Sequence, residues 1–304
     1  MKQIIDIDSI TRMHQIMGLK SPDHPLISVT LSKDFAAELM VPEGKYRLNL
    51  YMISLKTSCK ADFKYGRNSL DFEEGTLTFS APGQVFDFEE SLIENQNSDE
   101  GWTIIFHPDF IRHTTLSKSI TTYSFFDYEV YEALHVSEKE KRILFEFVRN
   151  IKTEIKETMD KHSQELIAIN MESLFKYSNR YYDRQFYTRT NLNKGYLVRF
   201  EKYLKEYFAS ELLLNQGLPT VQQCGEALNM SGYYLSDLLK IETGKSAKEH
   251  ITLYMIEQAK TKLLGSNSSV SEIAFDFGFE YPQHFSKLFK SKTGYSPSEY
   301  RNMN

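Results

Sequence analysis

A chain of 304 residues with 41% hydrophobic and 25% charged residues is composed like an ordinary soluble protein, long enough for two cores. No apolar run approaches the roughly 20 residues of a membrane helix, and the opening Met1-Lys-Gln-Ile-Ile-Asp-Ile-Asp8 lacks the basic-then-apolar layout of a signal peptide, so no membrane partner and a cytoplasmic setting are expected. The net charge of −5 argues against a partner held by bulk positive charge.

The charge is uneven along the chain. Residues 1–136 hold 12 Lys+Arg against 20 Asp+Glu, a net of −8, whereas residues 194–304 hold 13 against 12. The C-terminal third is therefore near neutral. It can meet DNA if its basic residues share a face, with modest salt-driven affinity. Two cysteines, Cys59 and Cys224, lie far apart and form no metal or redox motif.

Residues 26–110 read as β-rich. Arg47-Leu-Asn-Leu-Tyr-Met-Ile-Ser-Leu55, Gly75-Thr-Leu-Thr-Phe-Ser80 and Gln84-Val-Phe-Asp-Phe88 carry strand alternation, with Pro82-Gly83 as a turn between the last two. Gly101-Trp-Thr-Ile-Ile-Phe106 is short and apolar throughout. Such spacing predicts a small antiparallel barrel or sandwich, its interior either a ligand cavity or packed side chains. Residues 1–136 form this module.

From Ser137 the period changes. Ser137 and Glu140 predict a capping box, and Ile143, Phe147, Ile151 and Ile155 recur every four residues. A second helix is expected over Gln164 to Tyr182, with Leu166, Ile169 and Leu174 among its apolar positions. This pair, residues 137–183, packs either on its own sheet or on a second copy as a dimer interface. Residues 184–193 show no apolar period and read as a linker. A helix from Gly195 to Phe208 follows, with Val198, Phe200, Tyr203, Leu204 and Tyr207 on its apolar face.

Residues 194–304 contain a duplication. An offset of 50 pairs Ser236 with Ser286, Leu238 with Leu288, Lys240 with Lys290, Thr243 with Thr293, Gly244 with Gly294, Ser246 with Ser296 and Glu249 with Glu299. Before the turn the offset is 49, matching Cys224 with Ile273, Gly225 with Ala274 and Asn229 with Gly278. In the second copy, Ser269 and Glu272 cap a short helix through Ile273, Ala274 and Phe277. Gly278 stops it in a tight turn that wants positive φ. A helix from about Pro282 to Lys292 turns Phe285, Leu288 and Phe289 inward, and Ser296-Pro297-Ser298-Glu299 caps the next. Asn229 is the next-best residue for the matching turn in the first copy. Helix, short turn, helix is a helix-turn-helix unit, here over about 219–243 and 269–293. In such a unit the second helix enters the major groove, and two units read successive groove turns, about 34 Å apart, if a spacer holds them. Ala247 to Leu264, near 18 residues and about 27 Å long, is that spacer, with Ile251, Tyr254, Ile256, Ala259 and Leu263 inward.

With Ile273-Ala-Phe-Asp-Phe-Gly-Phe279, Phe285-Ser-Lys-Leu-Phe-Lys290, Gly294 and Ser296-Pro-Ser-Glu-Tyr-Arg301, the C-terminal third resembles the DNA-binding domain of AraC/XylS transcription regulators. The β-rich segment with its trailing helices is similar to that family's cupin-like regulatory domain. The resemblance implies a multidomain α+β chain, a cupin-like β-barrel followed by an all-α domain with two helix-turn-helix units. It also implies double-stranded promoter or operator DNA as partner, an activator contact with RNA polymerase, a homodimer and a small effector of unnamed identity. Carried over by position, groove-facing residues are Gly232, Tyr233, Ser236 and Asp237 in the first unit and Pro282, Gln283, His284, Ser286 and Lys287 in the second. Lys240 and Lys290, one turn further on, would touch phosphates. Gln283 can pair two-pronged with adenine and Lys287 suits guanine, while Asp237 would accept from cytosine or repel phosphate. At Met255, many relatives carry Arg as a backbone anchor.

Two other classes compete. A cupin-type enzyme needs converging histidines, usually including a His-x-His pair, but His14, His24, His107, His113 and His135 are scattered. The motifs of nucleophilic hydrolases and phosphate loops are missing too, so neither a metal, a cofactor nor catalysis is expected. A DNA-binding protein whose N-terminal module only oligomerises stays open, since 13% aromatic content fits a pocket or a packed core equally.

Overall fold

The computed structural model describes residues 4–34, 38–41, 44–56, 63–65, 68–70, 75–88, 91–94, 101–129, 132–157, 160–188 and 190–302; Cys59 lies outside them. The chain divides into two compact units, Met1–Gln185 and Phe186–Asn304.

In chain order the first unit contains β1 (Ile4–Ile7), α1 (Ile10–Ile16), β2 (Ile27–Leu31), β3 (Glu38–Val41), β4 (Gly44–Leu48), β5 (Tyr51–Lys56), β6 (Phe63–Tyr65) and β7 (Asn68–Leu70). It continues with β8 (Thr76–Ser80), β9 (Gln84–Phe88), β10 (Ser91–Glu94), β11 (Trp102–Phe106), α2 (Pro108–Ile111), α3 (Leu116–Ser119), β12 (Leu134–His135), α4 (Glu138–Lys156) and α5 (Ser163–Thr188). The main sheet has five antiparallel strands in the order β12-β8-β5-β11-β2. A three-stranded sheet, β1-β4-β9, pairs β1 with β4 in parallel, and two strand pairs, β10-β3 and β6-β7, complete the set. The stretch read as one strand over Arg47 to Leu55 is two. Asn49 breaks it, its side chain donating to Asp8 and its amide to the Ile7 carbonyl.

Along the main sheet, alternation sorts the side chains into two faces. Ile53, Leu77, Phe79, Ile104 and Phe106 are buried in the core of the unit. In register across four strands, Thr30, Thr103, Ser54 and Thr78 form a row of short hydroxyls. Ser54 and Thr103 meet at 2.8 Å, and the Thr78 hydroxyl donates to the Ser54 carbonyl.

The trailing helices pack on their own unit, with Ile151, Ile155 and Leu174 inward as expected and the other expected positions displaced from the buried face. The capping box of Ser137 and Glu140 is present, but the buried stripe of α4 is Leu144, Val148, Ile151 and Ile155. Ile143 is half-buried at its margin, as is Phe147, whose ring meets Tyr177 at 5.5 Å. In α5 the inward residues are Ile167, Ala168, Met171, Leu174 and Phe175, whereas Leu166 and Ile169 are about half exposed. Phe175 and Tyr182 join Phe79, Phe125 and Phe126 in an aromatic cluster that anchors α5. That anchoring explains why residues 184–188, expected as the start of a linker, are helical: buried Gln185 donates to the Ala133 carbonyl and accepts from the His135 amide. The helix therefore runs on to Thr188.

The second unit is all helical: α6 (Thr190–Ala209), α7 (Leu212–Gln216), α8 (Val221–Ala227), α9 (Gly232–Thr243), α10 (Ala247–Gly265), α11 (Val270–Asp276), α12 (Pro282–Thr293) and α13 (Pro297–Arg301). Among the described residues no helix is long and apolar enough to cross a membrane. Phe200, Leu204 and Tyr207 face inward from α6, while Val198 does not. A core of Met255, Ile256, Ala259, Leu263, Ile273, Ala274, Phe277, Phe285 and Phe289 binds α10, α11 and α12 together. Full burial of a phenylalanine such as Phe285 is worth about 2–3 kcal/mol. Arg301 closes the unit, its guanidinium donating to the Leu263 and Ser268 carbonyls.

Candidate nucleic-acid interface

The two helix pairs, α8–α9 and α11–α12, repeat one another in detail. Thr220 with Gln223, and Ser269 with Glu272, make capping boxes at the first helix of each. Asn229 (φ 59°) and Gly278 (φ 76°) occupy the left-handed turn position, and Asn229 is the one non-glycine residue with positive φ among the described residues. The starts of α8 and α11 are offset by 49, those of α9 and α12 by 50. The second turn thus carries one extra residue. In the first unit Ser231 caps α9, its hydroxyl accepting from the Tyr234 amide at 3.1 Å. Its counterpart Tyr281 makes no side-chain cap, and Pro282, which has no amide to satisfy, opens α12 instead.

Close approach within the first unit sets the crossing of its helices. A Cβ on Gly225 would lie 2.6 Å from the Met230 carbonyl oxygen and 2.8 Å from the Gly232 nitrogen. At Gly278 a Cβ would lie 2.3 Å from the Gly217 Cα, so this turn needs glycine for both its φ and the neighbouring backbone.

The expected groove-facing residues fall into two groups. Tyr233, Asp237 and Lys240 follow the i, i+4, i+7 spacing of one helix face; Tyr233 is 54% exposed, Lys240 is exposed and Asp237 half-buried. Gln283, Lys287 and Lys290 repeat that face on α12, all exposed, with exposed His284 beside them. The remaining residues do internal work. Gly232 is buried, and a Cβ there would meet the Val221–Gln222 backbone at 3.0–3.1 Å; it is a packing contact, which corrects its placement in the groove. The half-buried Ser236 accepts weakly from the Ala247 amide at 3.4 Å, joining α9 to α10. The Ser286 hydroxyl donates back to the Pro282 carbonyl at 3.0 Å, and Pro282 is itself half-buried at the first helical position.

The lysines one turn further on sit near the caps of the following helices. Hydrogen bonds from the Ser246 hydroxyl and amide, with Lys292 and Lys240 nearby, hold the Glu249 carboxyl below its usual range. The Ser296 amide and hydroxyl, with Lys290 nearby, do the same for Glu299. Between the pairs, α10 rises roughly 28 Å at 1.5 Å per residue and packs on α9, α11, α12 and α13. Ile251, Ile256, Ala259 and Leu263 are buried as expected, while Tyr254 is half-buried. Met255 is fully buried in the core, so this position supplies packing; a charged anchor there would have to be desolvated.

Two of the scattered histidines serve their local backbones. His24 accepts from the Leu26 amide, and His107 accepts from the Asp109 amide as the N-cap of α2. Cys224 is fully buried on α8, and burial pushes its thiol up to about 12. Burial likewise pushes the Tyr203 hydroxyl up to about 12, with Cys224 contributing. None of the three inward roles (Gly232, Ser236, Ser286) was marked by residue type. They depend on which neighbour lies above each side chain.

Two matched helix-turn-helix pairs on one spacer helix define a double helix-turn-helix DNA-binding domain. Residues 224–303 match the helix-turn-helix domain family. Among curated relatives, the chain is 40% identical over 78 residues to the uncharacterised transcriptional regulatory protein YesN of Bacillus subtilis, covering 25% of this chain and 21% of that one. It is 39% identical over 82 residues to the raffinose operon transcriptional regulatory protein RafR of Pediococcus pentosaceus, 27% of this chain and 30% of that one. Among solved structures, the C-terminal domain of AraT, a response regulator from Geobacillus stearothermophilus, aligns at 30% identity and a TM-score of 0.32, over 36% of this chain and 85% of that one. The chain thus spans less than a third of the length of either curated relative.

Proposed function

We propose that the protein is a sequence-specific DNA-binding transcription regulator that reads a promoter or operator with α9 and α12. The repeated outward face carries this reading: Tyr233, Asp237 and Lys240 recur as Gln283, Lys287 and Lys290 at a fixed offset of 50. Such coincidence on the second helix of each pair is what tandem major-groove reading requires. The second unit dominates affinity, because its face adds Lys287 where the first has Asp237, and a carboxylate repels phosphate. Base discrimination comes from Gln283 and Lys287 in the second unit and from Tyr233 and Asp237 in the first, with Lys240 and Lys290 on phosphates.

The N-terminal unit would adjust DNA binding by taking up a small effector. Exposed Leu166 and Ile169 on α5 supply an apolar surface for pairing two copies. RNA polymerase contact would follow from the activator reading.

The test is operator affinity at fixed salt, after genomic sites are mapped with the purified chain. Lys287→Ala should weaken binding by about tenfold or more, equivalent to 1–3 kcal/mol for a base-reading pair. Asp237→Ala should change sequence preference with little loss. Equal losses from the two variants would contradict the division of labour, and absence of any preferred sequence would overturn the regulator reading.

A further inference from the structure

A cleft of about 540 Å³ opens in the first unit between the loop before β2, β2 itself and the C-terminal half of α4. Its size is that of a small-molecule site. Part of its lining is rigid and polar: His14, Ser28 and Thr30 are 5%, 6% and 6% exposed. The His14 ring is fixed at both nitrogens. Nδ1 donates to the Lys20 carbonyl, which can only accept, and Nε2 contacts the Ser28 hydroxyl at 2.8 Å.

The rim carries the charge. Lys20, Lys33, Lys152 and Lys156 come from three separate segments, and the acidic residues among the described lining are Asp23 and Asp34. This is a local excess of positive charge in a unit, residues 1–185, that holds 22 Lys+Arg against 29 Asp+Glu. Asp34 is already engaged. Burial alone would push its carboxyl up, but the Leu31 amide and the Lys152 and Lys156 ammonium groups hold it below the usual range. Its bond to Lys152 (2.9 Å) ties the turn after β2 to α4 and sets the cleft's width. Positive charge gathered on a concave, partly desolvated surface focuses its field into the cleft.

We propose that this cleft binds a compact, multiply charged anion, a phosphorylated or polycarboxylate metabolite, with Lys20 and Lys156 as direct contacts. As the effector subsite of the regulator described above, it rests on that reading.

The test is calorimetric titration of the full chain with sodium pyrophosphate and, separately, trisodium citrate, with NaCl balancing ionic strength. Saturable binding of at least one anion is expected, weakened tenfold or more by Lys20→Ala/Lys156→Ala and unchanged by the exposed control Lys139→Ala/Lys161→Ala. A preference for citrate assigns the ligand to polycarboxylates; a preference for pyrophosphate assigns it to phosphates. Anion-dependent protection of Lys20 and Lys156 from acetylation gives the same answer in the unsubstituted chain. No binding beyond that of NaCl, or equal binding by the Lys20/Lys156 variant, would overturn the proposal. The titration contains no DNA, so its failure leaves the regulator reading standing. Failure of the chain to select an operator, with and without the anion, sinks the regulator reading and the effector role with it, and leaves any measured anion binding standing.

Discussion

Cys224 shows how burial alone decides a residue's chemistry. Its thiol sits at about 12 because the thiolate would be stranded in an apolar core, and Tyr203 is held at about 12 by the same cause. In the unfolded chain these groups ionise near 9 and 10. Above those values the unfolded state has lost protons that the folded state keeps, so stability falls as pH rises from 9 towards 12. Melting temperatures measured across that range should decline, and Tyr203→Phe should flatten the part above pH 10; an unchanged slope would contradict the shift. In a Cys59→Ser background, Cys224 should resist a thiol reagent at pH 8 until the chain unfolds. Its lack of a partner motif was readable from sequence, but its depth was not.

At the scale of elements, the caps and turns were the most legible features, since a capping box is set by two residues three apart. The boxes expected at Ser137, Ser269 and Ser296 are all present. The left-handed positions at Asn229 and Gly278 also follow from residue type, yet the structure makes them unequal. Asn229 is exposed, whereas Gly278 meets the Gly217 backbone. Asn229→Gly should therefore change stability by only a few tenths of a kcal/mol. Gly278→Ala should cost about 2 kcal/mol or more, combining the left-handed penalty with the clash. Gly278→Asn should not restore stability, because asparagine relieves the backbone angle and leaves the clash; urea midpoints of the three variants check this ordering. The inward faces of α4 and α5 were less legible. Both helices are rich in apolar residues around more than one face, so spacing admits a rotation of one residue, and contact with Tyr123, Phe125 and Phe126 selects Phe175 over Ile169.

For the whole molecule, the second unit owns a closed hydrophobic core and its own caps. A fragment of residues 186–304 should fold cooperatively and bind operator DNA by itself, with altered affinity, as followed by circular dichroism and gel shift. A fragment that stays unfolded at 25 °C would show that its core is insufficient alone. In the full chain, calorimetry should resolve two transitions, only the later or earlier of which responds to Gly278→Ala.

Local rules determined the duplication, the caps, the turns and the solvent-facing stripe of α9 and α12, because each depends on residues a few positions apart. Tertiary packing alone decided that Gly232 lies against α8, that Met255 belongs to the core, that residues 184–188 continue α5 and that four lysines border one cleft. Those outcomes depend on chain segments tens of residues apart meeting in space, and the energy of each is set by what it meets.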